Sequence, residues 1–351
     1  MHVFRAVERG FWLLAVLLAA CLSMPAAAQS GGAKAQAERQ ETQPLNNAPV
    51  WRDVRGGDNR SQTTQVRGVE TSVLVQTEGE IWRQLRNGPI TVFGGWLLVA
   101  IVVLLGLFFS IKGPLKLKEK PTGRLIERFN GWERIVHWSA AVSFVILAVT
   151  GLIILFGRYV VIPLLGLTVF SWLATFAKYL HNFVGPLFAV CTVLMFVTWV
   201  KENVPNGDDI KWALKGGGLF TGEHVPSARF NAGQKSWFWL GVTILGIVSS
   251  ATGFILDFPN FEQGRLLMQQ ANVIHAISAV LFIALSLGHI YVGTIGIEGA
   301  YETMRTGFVD EAWAKEHHEY WYNDVMAGKG VAGGTAPSTA RAASMKEGWK
   351  L

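Results

Sequence analysis

The sequence predicts an all-α integral membrane protein that crosses the bilayer five times after a signal peptide. Of its 351 residues, 50% are hydrophobic and only 16% are charged, and the mean hydropathy is +0.31. Several apolar runs reach the roughly 20 residues that a membrane-spanning helix needs. Basic residues gather in alternate connections between these runs, which is the pattern of cytoplasmic loops. Hydropathy and charge therefore agree on a multi-span helical fold.

Charge and cysteine content limit the classes of function. The formal net charge of +6 is ordinary for a membrane protein with basic cytoplasmic loops, so it does not indicate nucleic acid as a partner. Cys21 lies in the leader and Cys191 in an apolar run, so no disulfide framework is expected. The chain has no C-x-x-C-H motif for c-type haem, and it has too few cysteines to hold an iron–sulfur cluster.

Residues 1–28 have the layout of a secretory signal peptide. Arg5 and Arg9 precede an apolar core, and three alanines end at position 28, which fits an A-x-A cleavage site. A lipoprotein processing box ending at Cys21 and an uncleaved anchor are the alternatives. All three place residue 30 outside the cytoplasm, so the expected topology downstream is the same.

The next segments lead into the helical domain. Residues 29–90 form a polar periplasmic segment that lacks a run able to build a core, with a short helix expected around 78–85. Residues 91–111 are long and apolar enough to form an extra transmembrane helix. A basic linker at 112–133 follows and marks the cytoplasmic side.

The remaining spans make up a four-helix domain at residues 134–296. They are expected at about 134–157, 175–200, 236–256 and 272–296. The connections at 158–172 and 257–270 each hold one basic residue, as outer loops should, whereas the connection at 201–235 is basic. A cytoplasmic tail at 297–351 begins as an amphipathic segment and ends in a stretch rich in Gly, Ala and Ser.

The last span carries two histidines and no Lys, Arg, Asp or Glu. It reads NVIHAISAVLFIALSLGHIYVGTIG from Asn272 to Gly296, and it contains His275 and His289. Their spacing corresponds to about 3.9 helical turns and roughly 21 Å, so both imidazoles point to nearly one side at opposite depths. Ionisable residues inside a span are candidates for function.

Chain direction sorts four histidines into two pairs by depth. His137 begins a span that enters from the cytoplasm, whereas His181 begins one that enters from outside. The outer pair is therefore His181 with His275, and the inner pair is His137 with His289. Two imidazoles that face each other across a helix bundle are typical axial ligands of an electron-carrying b-type haem. A structural zinc site would need four ligands at one depth, and histidines that only bind neighbouring helices are the other alternative.

Six motifs carry a resemblance to a known family over about residues 125–325. They are RIVHW at 134–138, YLHNFVGP at 179–186, RFNAGQK at 229–235, VIHAISA at 273–279, GHIYVGTIG at 288–296 and WAKEHHEYWY at 313–322. With these motifs the chain resembles the cytochrome b556 (gamma) subunits of respiratory, membrane-bound formate dehydrogenases. The histidine pattern by itself is shared with the cytochrome b subunits of nickel–iron hydrogenases and related reductases.

The resemblance implies a four-helix di-haem cytochrome b bundle with two b haems. Their ligands would be His137, His181, His275 and His289. It also implies a quinone site near the inner haem, where Asn231, Gly233 and Gln234 match the family. Asn231 and Gln234 can donate hydrogen bonds to a quinone carbonyl, and Gly233 leaves room for its ring. Without the family, the same residues predict a helix N-cap and first turn.

The function implied by the resemblance is that of a membrane anchor and electron-transfer subunit. An Fe–S (beta) subunit, next to a molybdopterin (alpha) subunit that oxidises formate, would deliver electrons at the outer face, and membrane quinone would accept them at the inner face. The chain would lie in the bacterial inner membrane, with its mature N-terminus periplasmic and its C-terminus cytoplasmic. The alternatives are the cytochrome b subunit of a hydrogenase or related reductase and, in another class, a haem-free anchor or transporter.

Overall fold

The computed structural model describes residues 77–218, 225–261 and 263–329. The predicted signal peptide, Cys21, most of the predicted periplasmic segment and the end of the tail lie outside the described residues. Within the described parts the chain is mostly helical, and four helices are long and apolar enough to cross a membrane. They are Gly79–Lys112, Gly131–Trp199, Ala232–Asp257 and Arg265–Gly296. The prediction of an all-α, multi-pass membrane protein is thereby confirmed.

The first of these helices is continuous but changes its winding. Helix α1 (Thr77–Leu85) passes through a π-helical turn at Arg86–Ile90 into helix α2 (Thr91–Lys112). The wider turn contains Pro89, which has no N–H to donate to the preceding turn. The Thr91 hydroxyl donates to the Arg86 carbonyl at 2.5 Å and so supplies a hydrogen bond at this point.

Helix α3 (Gly131–Trp199) contains two antiparallel spans. At 69 residues it would be roughly 100 Å long if straight, against a bilayer core of about 30 Å. Gly166 breaks it with φ 81° and ψ 171°, a conformation that glycine adopts without strain. The two halves then fold back on each other, since Trp199 Nε1 donates to the Glu133 carboxylate at 3.1 Å. The connection predicted at 158–172 is therefore helical apart from this break, because its apolar sequence continues both helices.

The chain then returns through two further spans. Helix α4 (Gly207–Leu214) lies in the connection, followed by a single 3₁₀ turn at Gly216–Gly218. The third membrane-length helix consists of α5 (Ala232–Ser236), a π-helical stretch at Trp237–Leu245 and α6 (Gly246–Asp257). The fourth consists of α7 (Arg265–Tyr291) and a π-helical end at Val292–Gly296.

A small module closes one end of the bundle. Strand β1 (Leu125–Glu127) pairs antiparallel with β2 (Phe308–Asp310), with Leu125 opposite Asp310. Around them lie α8 (Ala300–Arg305), α9 (Glu311–His317) and α10 (Glu319–Met326). The two strands share a core with α9 and α10, which is formed by Ile126, Val309, Trp313, Ala314, Trp321 and Val325. We call residues 308–326 with β1 the end module.

Candidate cofactor sites in the helix bundle

The structure brings the four predicted histidines together in two pairs. The rings of His181, in the second half of α3, and His275, in α7, have centroids 6.1 Å apart and planes inclined by 78°. The rings of His137, in the first half of α3, and His289, in α7, have centroids 6.3 Å apart and planes inclined by 55°. Helix α7 thus contributes one histidine to each pair.

Both distances fit a metal ion held between two imidazoles. When two imidazoles bind one metal from opposite sides, their centroids lie about 6 Å apart, because each metal–nitrogen bond is about 2 Å and each centroid lies about 1 Å beyond its nitrogen. Among the residues that the structure describes, no group of three or more His, Cys, Asp or Glu side chains is arranged to hold a metal. Two imidazoles per site agree with an axial pair and not with a four-ligand structural zinc site.

The hydrogen bonds around His181 favour a proton on its Nδ1. The Thr150 hydroxyl lies 2.8 Å from His181 Nδ1, and it also lies 2.7 Å from the Ile146 carbonyl of its own helix. A carbonyl only accepts, so the single hydroxyl proton goes to Ile146 and the Thr150 oxygen accepts from Nδ1–H. The lone pair of Nε2 is then available for a metal.

The same arrangement occurs at His275. Its Nδ1 lies 3.1 Å from the Thr252 hydroxyl and 3.1 Å from the Ser249 carbonyl, which can only accept. The Thr252 hydroxyl lies 2.6 Å from the Val248 carbonyl, to which it donates. Both rings of this pair therefore carry their proton on Nδ1, which suits metal binding through Nε2.

The pair formed by His137 and His289 has an aromatic environment instead. The Trp237 ring stacks on His289 with centroids 4.8 Å apart and an angle of 10°, and Trp138 meets His137 edge-on at 5.3 Å. His137 Nδ1 is buried and has no hydrogen-bond partner among the described residues. The two pairs share a ligand type but differ in what surrounds it.

The three predicted quinone residues form the first turn of α5. Asn231 is the N-cap, and its side-chain oxygen accepts from the Gln234 N–H at 3.0 Å. In return the Gln234 side-chain oxygen accepts from the Asn231 N–H at 3.1 Å. A Cβ on Gly233 would lie 3.0 Å from Trp212 Cη2, so an indole covers the space expected for a quinone ring. The quinone assignment stays a prediction, and the helix-cap interpretation describes this geometry.

A buried cluster of charges adjoins this turn. The Arg229 guanidinium, 5% exposed, donates to Glu133 at 2.7 and 2.8 Å and to Glu202 at 2.9 and 2.7 Å. Arg128, 2% exposed, donates to the Gln234 side-chain oxygen at 3.3 Å. Desolvation lowers the pKa of Arg128 to about 9, with the charge of Arg229 as the next cause.

Thr150 and Thr252 share a short sequence pattern. Each threonine is followed by glycine and, two positions later, by isoleucine, in TGLI at 150–153 and TGFI at 252–255. A Cβ on Gly151 would lie 3.4 Å from His181 Cε1, and one on Gly253 would lie 3.4 Å from His275 Cε1. The short repeat thus places a hydroxyl and a glycine without a side chain against the imidazoles of His181 and His275. Trp237 has no comparable signal, since tryptophans are common in spans.

Comparison with known proteins gives consistent similarities. The model of a family described as prokaryotic cytochrome b561 matches residues 128–307. The cytochrome b556(fdo) subunit of formate dehydrogenase from Escherichia coli (strain K12) is 32% identical over 209 residues, which cover 57% of this chain and 93% of that protein. The nitrate-inducible cytochrome b556(Fdn) subunit from the same strain is 30% identical over 207 residues, covering 58% and 92%. The cytochrome b556 subunit from Haemophilus influenzae is 27% identical over 212 residues, covering 56% and 82%.

Proposed function

This chain belongs to the prokaryotic cytochrome b561 family, and we propose that it is the membrane electron-transfer subunit of a formate dehydrogenase that holds two b haems. The relatives from Escherichia coli and Haemophilus influenzae carry names of formate dehydrogenase cytochrome b556 subunits. When bound between two imidazoles, a b haem supplies one-electron transfer and has no open position for oxygen.

The observation that carries this proposal is the geometry of the two histidine pairs. The ring centroids are 6.1 Å apart in one pair and 6.3 Å in the other. His181 and His275 would hold one haem, and His137 and His289 the other. In α7 the two ligands are fourteen positions apart, so the sites are roughly 21 Å apart along the bundle by helix rise.

The direction of electron flow follows from the proposed topology. With residues 1–28 as a signal peptide and basic residues in the connections that lie inside, the 181/275 pair lies near the periplasm and the 137/289 pair near the cytoplasm. An Fe–S partner subunit would then dock at the 181/275 end, with the molybdopterin catalytic subunit behind it. Helix α2 would be the extra transmembrane helix in front of the four-helix domain at 134–296.

The proposed electron acceptor is membrane quinone, bound near the 137/289 pair. Trp237, stacked on His289, follows the Asn231–Gln234 turn directly in the chain. The quinone-facing groups would be the side-chain N–H₂ donors of Asn231 and Gln234, because their oxygens are used in the helix cap. The names of the relatives favour formate dehydrogenase over a hydrogenase as the parent complex.

Absorbance spectra test the haem assignment on the purified complex. Reduced-minus-oxidised spectra should show b-type haem, with two haems per chain. His181→Ala and His275→Ala should each remove the same haem, and His137→Ala and His289→Ala should each remove the other. The two haems are distinguished by their midpoint potentials and by their low-spin ferric EPR signals.

His317→Ala is the matched control, because this histidine lies outside both pairs, and it should keep both haems. Protein without b-type absorbance would overturn the proposal in favour of a haem-free anchor. If His289→Ala removed the haem that His181→Ala removes, the pairing would be wrong.

A further inference from the structure

We propose that Thr150 and Thr252 are paired positioning residues that lower the midpoint potential of the haem held by His181 and His275. This inference rests on the proposed function, because it concerns a haem at that pair. It adds two residues from the two spans that contribute no ligand to this site. All four spans of the domain would then build it.

The arrangement is a local two-fold repeat. Thr150 lies on the first half of α3 and contacts a histidine on the second half, and Thr252 lies on α6 and contacts a histidine on α7. His275 also has a backbone partner three residues before its threonine, since the Ser249 carbonyl lies 3.1 Å from its Nδ1. A threonine oxygen therefore lies against Nδ1 of both rings of one pair.

The threonines act as acceptors because their own protons are committed. Each hydroxyl donates within its helix, to Ile146 at 2.7 Å and to Val248 at 2.6 Å. An N–H that donates to such an oxygen gives the imidazole more negative character and makes Nε2 a stronger donor to a metal. A stronger donor favours ferric over ferrous iron, so the potential falls, and hydrogen bonds around the ligand are a recognised means of tuning it.

His137, in the second pair, lacks this environment. His137 Nδ1 has no hydrogen-bond partner among the described residues, and Trp237 and Trp138 lie against the two rings. The threonine hydrogen bonds therefore distinguish two sites with identical ligand sets. A lower potential at the 181/275 site favours electron transfer from this site to the 137/289 site. This is the direction that the proposed function requires.

Potentiometric titration of both haems in the purified complex tests this proposal. Thr150→Val replaces the hydroxyl by a methyl of similar size, and it should raise the potential of one haem while leaving the other unchanged. Thr252→Val should raise the potential of the same haem by less, because the Ser249 carbonyl still accepts from His275. The double variant should raise this potential more than either single variant. Thr150→Ser keeps a hydroxyl and should have the wild-type potential.

Thr192→Val is the matched control. Thr192 is a buried threonine in the same helix half as His181, and its hydroxyl donates to the Phe188 carbonyl of its own helix at 3.0 Å. This variant should leave both potentials unchanged. Loss of a hydrogen bond to a metal ligand can weaken metal binding roughly 10- to 100-fold. If Thr150→Val loses haem for this reason, the potential is measured in Thr252→Val instead.

The outcomes separate the two proposals. Unshifted potentials in Thr150→Val and Thr252→Val protein that retains both haems would overturn the role of the threonines and leave the proposed function intact. A shift confined to the other haem would do the same. A wild-type protein without haem would instead overturn the proposed function.

Discussion

The side-chain amides of Asn231 and Gln234 would serve two purposes in the proposed quinone site. Their oxygens close the first turn of α5, where each accepts a backbone N–H of the other residue. Their N–H₂ groups are the only parts that can donate to a quinone carbonyl. Changing each amide to the matching acid keeps the acceptor oxygen and removes the donor, so the two functions can be separated.

Asn231→Asp and Gln234→Glu should therefore retain both haems and slow quinone reduction. The expected loss is roughly tenfold or more, since a buried partner left without its hydrogen bond costs about 1–3 kcal/mol. Steady-state reduction of a short-chain quinone by the purified complex measures it. Asn206→Asp makes the same change at the N-cap of α4, where an equivalent capping box exists, and should retain full turnover. Normal turnover in both Asn231→Asp and Gln234→Glu would remove these residues from the site.

Single residues show how far the sequence predicts the site. The four histidines could be found because they are rare in spans and because topology assigns each a depth. Thr150 and Thr252 share the short TGLI and TGFI repeat, but this repeat does not identify their partners, which are 31 and 23 positions away. A threonine inside a helix also commonly donates to its own backbone, which masks a second role. Trp237 reaches His289 only because position 241 is glycine, where a Cβ would lie 2.5 Å from the indole.

Among the elements, the start of α3 depends on the buried Arg229. This guanidinium joins Glu133, in the first turn of α3, to Glu202, just beyond its end. It also donates to the Arg128 carbonyl at 3.1 Å and covers the Phe129 ring at 4.7 Å. One side chain thus ties both ends of the helical hairpin to the connection that precedes α5.

Arg229→Met should destabilise the protein by about 3–5 kcal/mol, because it leaves the buried Glu133 carboxylate without its cation and also removes the partner of the partly exposed Glu202. Thermal loss of the haem absorbance in detergent measures the change. Glu133→Gln should cost less, since Arg229 keeps Glu202 as its partner. The double variant Glu133→Gln with Arg229→Met should be more stable than Arg229→Met. A melting temperature of Arg229→Met equal to that of wild type would contradict this account.

Helix α2 contacts α7 near both of its ends. Trp82, just before it, donates to Asn272 near the start of α7 at 2.9 Å, and Phe108 and Phe109 meet Tyr291 near the end of α7 at 6.3 and 6.4 Å. The two helices therefore run in the same direction. A Cβ on Gly94 would lie 3.3 Å from Val280 Cγ1, so the backbones approach closely, as small residues allow in membranes. The helix supports α7, the element that carries one histidine of each pair.

At the scale of the whole molecule, the spans were predictable and the end module was not. Membrane-length apolar runs are a strong signal, so the positions of the spans follow from composition. Strands β1 and β2 have three residues each, which is too short for a periodic pattern. They join the linker predicted at 112–133 to the tail predicted at 297–351, and the paired residues are 181 to 185 positions apart in the sequence. Long-range pairing of this kind is specified by burial, which the sequence does not display.

The burial of His318 is likewise not visible in the sequence. Its contacts hold the end module in place. Its neighbours in the sequence are polar, yet the side chain is only 1% exposed. Its Nδ1–H donates to the Ala228 carbonyl at 2.7 Å, and the Ser227 hydroxyl donates to the His317 carbonyl at 2.8 Å. These contacts hold α9 and α10 against the connection that leads into α5. They link the end module to the membrane domain.

The burial of His318 makes the stability of this link depend on pH. Desolvation, followed by the charge of Arg128, holds the pKa of His318 well below its ordinary 6.5, and His317 and Arg229 act in the same direction. Below about pH 6.5 the unfolded chain takes up a proton that the folded chain excludes, so the free energy of unfolding falls by up to about 1.4 kcal/mol per pH unit. Above that pH this group contributes no pH dependence.

We therefore expect the end module to loosen when the pH falls from 7.5 to 5.5, which hydrogen exchange of residues 319–326 in the intact complex measures. His318→Asn keeps a donor toward the Ala228 carbonyl and cannot take up a proton, so protection in this variant should change less with pH. His317→Asn is the control and should keep most of the wild-type pH dependence, because His318 remains and desolvation, not His317, is the main cause of its low pKa. An equal pH dependence in His318→Asn and wild type would show that another group controls the docking of the module.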